Sequence, residues 1–91
     1  MDKDETAQIL ALEVLRFLAT DGERLGRFLA WTGEGPQTLR TRAGDPEFLA
    51  GVFDYLLAHE ALLLEFAQAI DADPASIAPL RRHLPGADPP N

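Results

Sequence analysis

The sequence predicts an all-α fold, a compact bundle of five or six short helices with a disordered C-terminal tail, on three observations. Alanine and leucine dominate the apolar positions, whereas the β-branched residues and tyrosine that favour strands are sparse. Apolar residues recur at the three-to-four-residue spacing of amphipathic helices. Turn and cap residues at Thr20-Asp21-Gly22, Gly33-Glu34-Gly35-Pro36, Asp45-Pro46 and Asp73-Pro74 divide the chain at short intervals.

The first helix is expected from about Asp4 or Glu5 to Ala19, with acids in its first turn against the positive end of the helix dipole. Leu10, Val14, Phe17 and Leu18 share one face of it. Ile9 and Leu12 fall toward the polar side, as candidates to cover a second neighbour or a partner. Thr20-Asp21-Gly22-Glu23 fits a capping box with Thr20 at the N-cap, opening a second helix that runs to about Thr32. Leu25, Phe28 and Leu29 form its core face, and Gly33 can end it in the left-handed conformation.

Pro36 suits the first position of a short third helix, where a missing N–H is harmless, with Leu39 inward and Arg40 and Arg42 outward up to Gly44. Asp45-Pro46-Glu47 is the clearest helix start, with a cap, a first-position proline and an acid in the first turn. The fourth helix carries Phe48, Leu49, Val52, Phe53, Leu56 and Leu57 as a clean amphipathic stripe. Leu63, Phe66, Ala67 and Ile70 would continue that stripe through His59-Glu60, but an unbroken helix places both polar groups within it, at a desolvation cost. A break at His59 exposes them and sets Glu60 in the first turn of a fifth helix, expected to be the most buried through Leu62, Leu63, Leu64 and Phe66. Asp73-Pro74 opens a sixth short helix toward His83, in which Pro79 demands a kink or a restart. Three prolines and a glycine follow Leu84, so residues 85–91 read as a disordered tail behind a single helical domain over 4–84.

At 91 residues the chain has room for one domain with a thin core. The absence of cysteine excludes disulfides, thiolate metal sites and cysteine nucleophiles. An acidic N-terminus unlike a secretory signal, and apolar runs such as Ala61–Leu64, far short of the ~18–20 residues of a membrane span, predict a cytoplasmic protein without a membrane partner. The net charge of −7 opposes nucleic-acid binding. That charge is unevenly placed. From Ala43 to Leu80 there is no Lys or Arg, while Arg16, Arg24, Arg27, Arg40 and Arg42 all precede Gly44. A basic protein partner for the acidic second half is the natural expectation.

The run Phe28-Leu29-Ala30-Trp31-Thr32-Gly33, then Leu39-Arg40, then Phe48-Leu49 through Leu56-Leu57, Glu60 and Leu62–Phe66, resembles the small bacterial family of unknown function numbered 3572, known mainly from alphaproteobacteria. The resemblance covers roughly Thr6 to Leu84. It rests on hydrophobic positions and turn glycines, so it implies a fold and brings no substrate, cofactor or catalytic residue. Two positions depart from the family pattern, which has an acid where His59 stands and a residue other than proline where Pro79 stands. An acid at position 59 would be a natural N-cap, which agrees with a helix break there.

Four constellations bear on function. The second and third helices have the outline of a helix-turn-helix bearing Arg24, Arg27, Arg40 and Arg42, the alternative nucleic-acid reading, yet Glu34 occupies a turn position that favours an apolar residue. His59-Glu60 begins like a zinc-binding H-E-x-x-H, but Leu63 stands at the second histidine position, and a cap or surface role suits His59 better. Gly33-Glu34-Gly35 lacks the strand, third glycine and lysine of a phosphate loop. Trp31 closes the second helix as a core or rim residue with an interface role open to it. No cofactor or metal site emerges. The chain is therefore read as a non-enzymatic protein–protein interaction or regulatory module whose candidate partner surface comprises Ile9, Leu12, Trp31, Arg40, Arg42, His59 and Glu60. Ile9 and Leu12 are candidates for a homodimer interface.

Overall fold

In the computed structural model, which describes residues 2–86, helices follow one another in the order that the cap residues set: α1 (Lys3–Ala19), α2 (Gly22–Thr32), α3 (Pro36–Arg42), α4 (Pro46–Ala58) and α5 (Glu60–Ala69), then two 3-10 helices, η1 (Pro74–Ser76) and η2 (Ala78–His83). The radius of gyration of 12.5 Å matches the ~12 Å of a compact domain of this length, so the bundle is closed on itself. Residues 87–91 of the expected tail lie outside the described residues, and Pro85 and Gly86 form a turn.

Side-chain caps place most of the starts. Asp2, Asp21, Asp45 and Asp73 each accept a backbone N–H at the head of the following element, at 2.8, 2.9, 3.0 and 3.0 Å respectively. α1 therefore begins a little earlier than its apolar pattern suggests. The capping-box expectation at Thr20 is corrected. Asp21 caps α2, while the Thr20 hydroxyl donates backward to the Phe17 carbonyl at 2.7 Å and helps end α1. An aspartate one residue on offers an ionised acceptor, the stronger hydrogen-bond partner for an orphan N–H. Gly33 takes the left-handed conformation expected of it, with φ 75°.

The helix break expected at position 59 is present. His59 leaves helical geometry at φ −124° and ψ 89°, ending α4 and starting α5 together. α5 ends in a Schellman motif: Ala72 N–H donates to the Ala67 carbonyl at 2.8 Å and Asp71 N–H to the Gln68 carbonyl at 3.2 Å. Asp71 itself takes the left-handed conformation there, at φ 56°. The sixth helix restarts as foreseen but as 3-10 structure. Ile77 N–H reaches Pro74 and Leu80 N–H reaches Ile77, each one residue short of an α-helical bond, and Pro79 between them has no N–H to donate.

The core centres on α4, not on α5 as the leucine run suggested. Phe48, Leu49, Ala50, Val52, Phe53, Tyr55 and Leu56 are all buried on α4, which packs against α1, α5 and η2. α5 buries only Phe66 and Ala67 fully, and Leu64 is exposed. α1 turns Ala7, Ala11, Val14 and Leu18 fully inward, with Leu10, Leu15 and Phe17 flanking them. Alanines at the helix crossing let two backbones approach closely, a role that ranking side chains by size passes over. Ile77 and Leu84 complete the core from the C-terminal end.

Candidate functional site

α2 ends beside the α4–α5 junction, and an aromatic cluster runs there from the core to the surface. Phe28 is fully buried. The Tyr55 ring meets it edge to face at 5.2 Å between centroids and meets Trp31 in the same way, also at 5.2 Å. His59 closes the series, 4.3 Å from the Tyr55 ring and 6.5 Å from Trp31. Both orders of contact follow from helix geometry, since Tyr55 and His59 lie one turn apart at the end of α4, and Phe28 and Trp31 one turn apart at the end of α2. Edge-to-face contacts are favourable for the ring quadrupoles, so the cluster is held by more than area.

The break at His59 supplies one more restraint. Ending α4 leaves the Tyr55 carbonyl without its helical donor, and His59 Nδ1 lies 2.8 Å from that oxygen. A carbonyl only accepts, so Nδ1 carries the proton and donates it. The histidine thus caps the C-terminus of α4, where an acid in its place would cap the N-terminus of α5. Glu60 follows in the first turn of α5, exposed to solvent.

Beside this cluster lies a cleft of about 200 Å³ between α2 and α5, floored by Leu18, Tyr55 and Leu62 and bordered by Arg24, His59 and Glu65. That volume is below the ~300–1,000 Å³ of small-molecule pockets and suits a single inserted side chain. Trp31 packs against Tyr55 and His59 of that lining and is 52% exposed, the most exposed large apolar side chain among the described residues. Arg24 pairs with Glu65 and lies over the Phe17 ring at 4.6 Å, and Arg27 approaches Glu23 at 3.6 Å along its own helix. Among the described residues no three His, Asp or Glu side chains gather as a metal site requires, and no helix is long and apolar enough to cross a membrane.

The fold thus brings together Trp31 and His59 of the expected surface, with Glu60 adjacent. Ile9 and Leu12 lie elsewhere, on the outward face of α1. Arg40 is exposed on α3. Arg42 lies along the surface, its side chain 37% exposed: it binds Glu34 at 3.1 Å and Asp45 at 3.1 Å and lies over the Phe48 ring at 5.4 Å. Of the four arginines in the nucleic-acid reading, three are therefore held by carboxylates. Tyr55, the hinge of the aromatic cluster, is not among the expected surface residues, although its place four residues before His59 puts both on one face of α4. Nothing in the local pattern announces Glu65 as the partner of Arg24, because they are 41 residues apart.

The family model described as protein of unknown function DUF3572 matches residues 4–87, nearly the whole chain. The chain belongs to the DUF3572 family. The resemblance read from its hydrophobic positions and turn glycines is thereby established, and among those positions of this DUF3572 protein Phe28, Phe48, Leu49, Leu56 and Phe66 are buried and Gly33 caps α2. Comparison with curated proteins and with solved structures gives no match.

Proposed function

We propose that this DUF3572 protein is a non-enzymatic interaction or regulatory module of the cytoplasm that binds a protein partner at the Trp31–Tyr55–His59 edge. One observation carries the reading: a half-exposed tryptophan is anchored at its inner edge by a buried tyrosine, beside a cleft sized for one side chain. Tryptophan, tyrosine and arginine are the residues in which interface energy concentrates, and a ring already braced loses little freedom on binding. The partner inserts an apolar side chain into the cleft. It is expected to carry net positive charge, because the chain's −7 attracts such a partner and repels an acidic one.

A photo-reactive phenylalanine analogue placed at Trp31 tests this in the native host, with the same analogue at the exposed Gln37 of α3 as the control. A discrete cross-linked protein captured at position 31 and absent at position 37 supports the site. That protein, once purified, should shift the emission of the chain's single tryptophan. Identical capture at both positions, or none at position 31, refutes it.

A further inference from the structure

We infer that a second copy of this chain docks on the outward face of α1, antiparallel to it, about a two-fold axis passing between Ile9 and Leu12. With its buried stripe turned to the core, α1 leaves Ile9 46% and Leu12 37% exposed. On the helical wheel Glu5, Ile9, Leu12 and Arg16 fall within about 60° of arc on the side opposite Ala7, Ala11, Val14 and Leu18. Glu5 is exposed, and the Arg16 side chain is 79% exposed. This outward stripe is long enough to act as a helix–helix seam.

Its order decides the occupant. The stripe reads acid, apolar, apolar, base, at intervals of four, three and four residues. Read in the opposite direction it is its own complement. An antiparallel copy sets Ile9 beside Leu12 twice at the centre and Glu5 opposite Arg16 at each end, which is the self-complementarity that a two-fold interface requires. A foreign partner makes no such demand on the spacing. The present neighbour of Arg16 is Glu13, at 3.6 Å on the same exposed helix face, and surface pairs of that kind are weak enough to exchange. Antiparallel packing also sets the positive end of each helix dipole beside the negative end of the other. A single helix pair buries less than the ~1,200–2,000 Å² of stable complexes, so the association belongs to the weak, reversible class.

Charge reversal tests the geometry in solution. Sedimentation equilibrium of the wild-type chain up to about 1 mM should show a mass rising from 10.0 kDa toward twice that value. Glu5→Arg sets arginine against arginine at both ends of the seam, and Arg16→Glu sets glutamate against glutamate. Each variant alone should associate at least ~10-fold more weakly than wild type. An equimolar mixture of the two variants restores opposite charges at both ends and should dimerise again. Ile9→Asp, at the centre, should abolish association in any mixture, with circular dichroism showing that each variant remains helical. A wild-type chain that stays monomeric, single variants that dimerise like wild type, or a mixture no more associated than its components each overturn the proposal.

Discussion

At the scale of single residues, His59 does the work of a helix terminator without being glycine or proline. Its ring donates to the Tyr55 carbonyl that the break leaves open and rests against the Tyr55 side chain. His59→Ala should lower the free energy of unfolding by about 0.5–1.5 kcal/mol, the net worth of one such hydrogen bond, as read from urea denaturation. The same substitution should loosen Trp31, visible as a change in its fluorescence anisotropy. Asp45 is a second residue whose local chemistry reaches further. The Glu47 backbone N–H, and then the Arg42 guanidinium, hold its carboxyl below the ordinary value of 3.8. A carboxyl whose folded value is depressed contributes stability in full above its unfolded value and loses it as pH falls through the folded one. Wild type should therefore lose more stability than Asp45→Asn between pH 5 and the acid limit, with the excess developing below about pH 4. Thermal melts across that range measure it.

At the scale of elements, the start of α2 separates two readings of the same four residues. Thr20 and Asp21 both suit an N-cap, and the backbone gives that place to Asp21. Asp21→Ala should cost about 1 kcal/mol of stability through the lost cap, whereas Thr20→Ala should cost well under half of that, since its hydroxyl serves only the exposed C-terminal end of α1. Equal losses would restore the capping box. The leucine run of α5 carries the complementary lesson. Consecutive leucines point in directions about 100° apart, so Leu62, Leu63 and Leu64 cannot all face one neighbour. α4 earns the central place because other elements cover it on more than one side.

At the scale of the whole molecule, ion pairs offset part of the charge segregation visible along the chain. The base-free stretch from Ala43 to Leu80 contains Asp45, Asp54 and Glu65, and arginines from outside the stretch pair with all three: Arg42, Arg81 and Arg24. Arg81 grips Asp54 through two bonds of 2.6 and 3.2 Å, and His83 meets Asp4 at 3.0 Å, so the C-terminal 3-10 segment is tied to both α4 and α1. The same segment buries Ile77 and Leu84. Each fully buried side chain of this kind is worth about 1.5–3 kcal/mol, against total stabilities of about 5–15 kcal/mol for domains of this class. A chain ending at Ala72 should therefore lose cooperative thermal unfolding at room temperature, in contrast to the full chain.

The helix boundaries were legible because caps, first-position prolines and left-handed glycines act over two to four residues. Those interactions join groups close in sequence, so reading them requires no knowledge of tertiary contacts. The break at His59 was legible for a related reason, since two polar groups in an apolar stripe are costly wherever the helix packs. The candidate site was only half legible: Trp31 and His59 could each be picked out by residue type. Their meeting across Tyr55, the 41-residue reach of Arg24 to Glu65 and the 79-residue reach of His83 to Asp4 depend on how the helices cross. Which alanines sit at a crossing, and which helix lies at the centre, are decided by burial summed over all neighbours at once. No local window of sequence contains that sum.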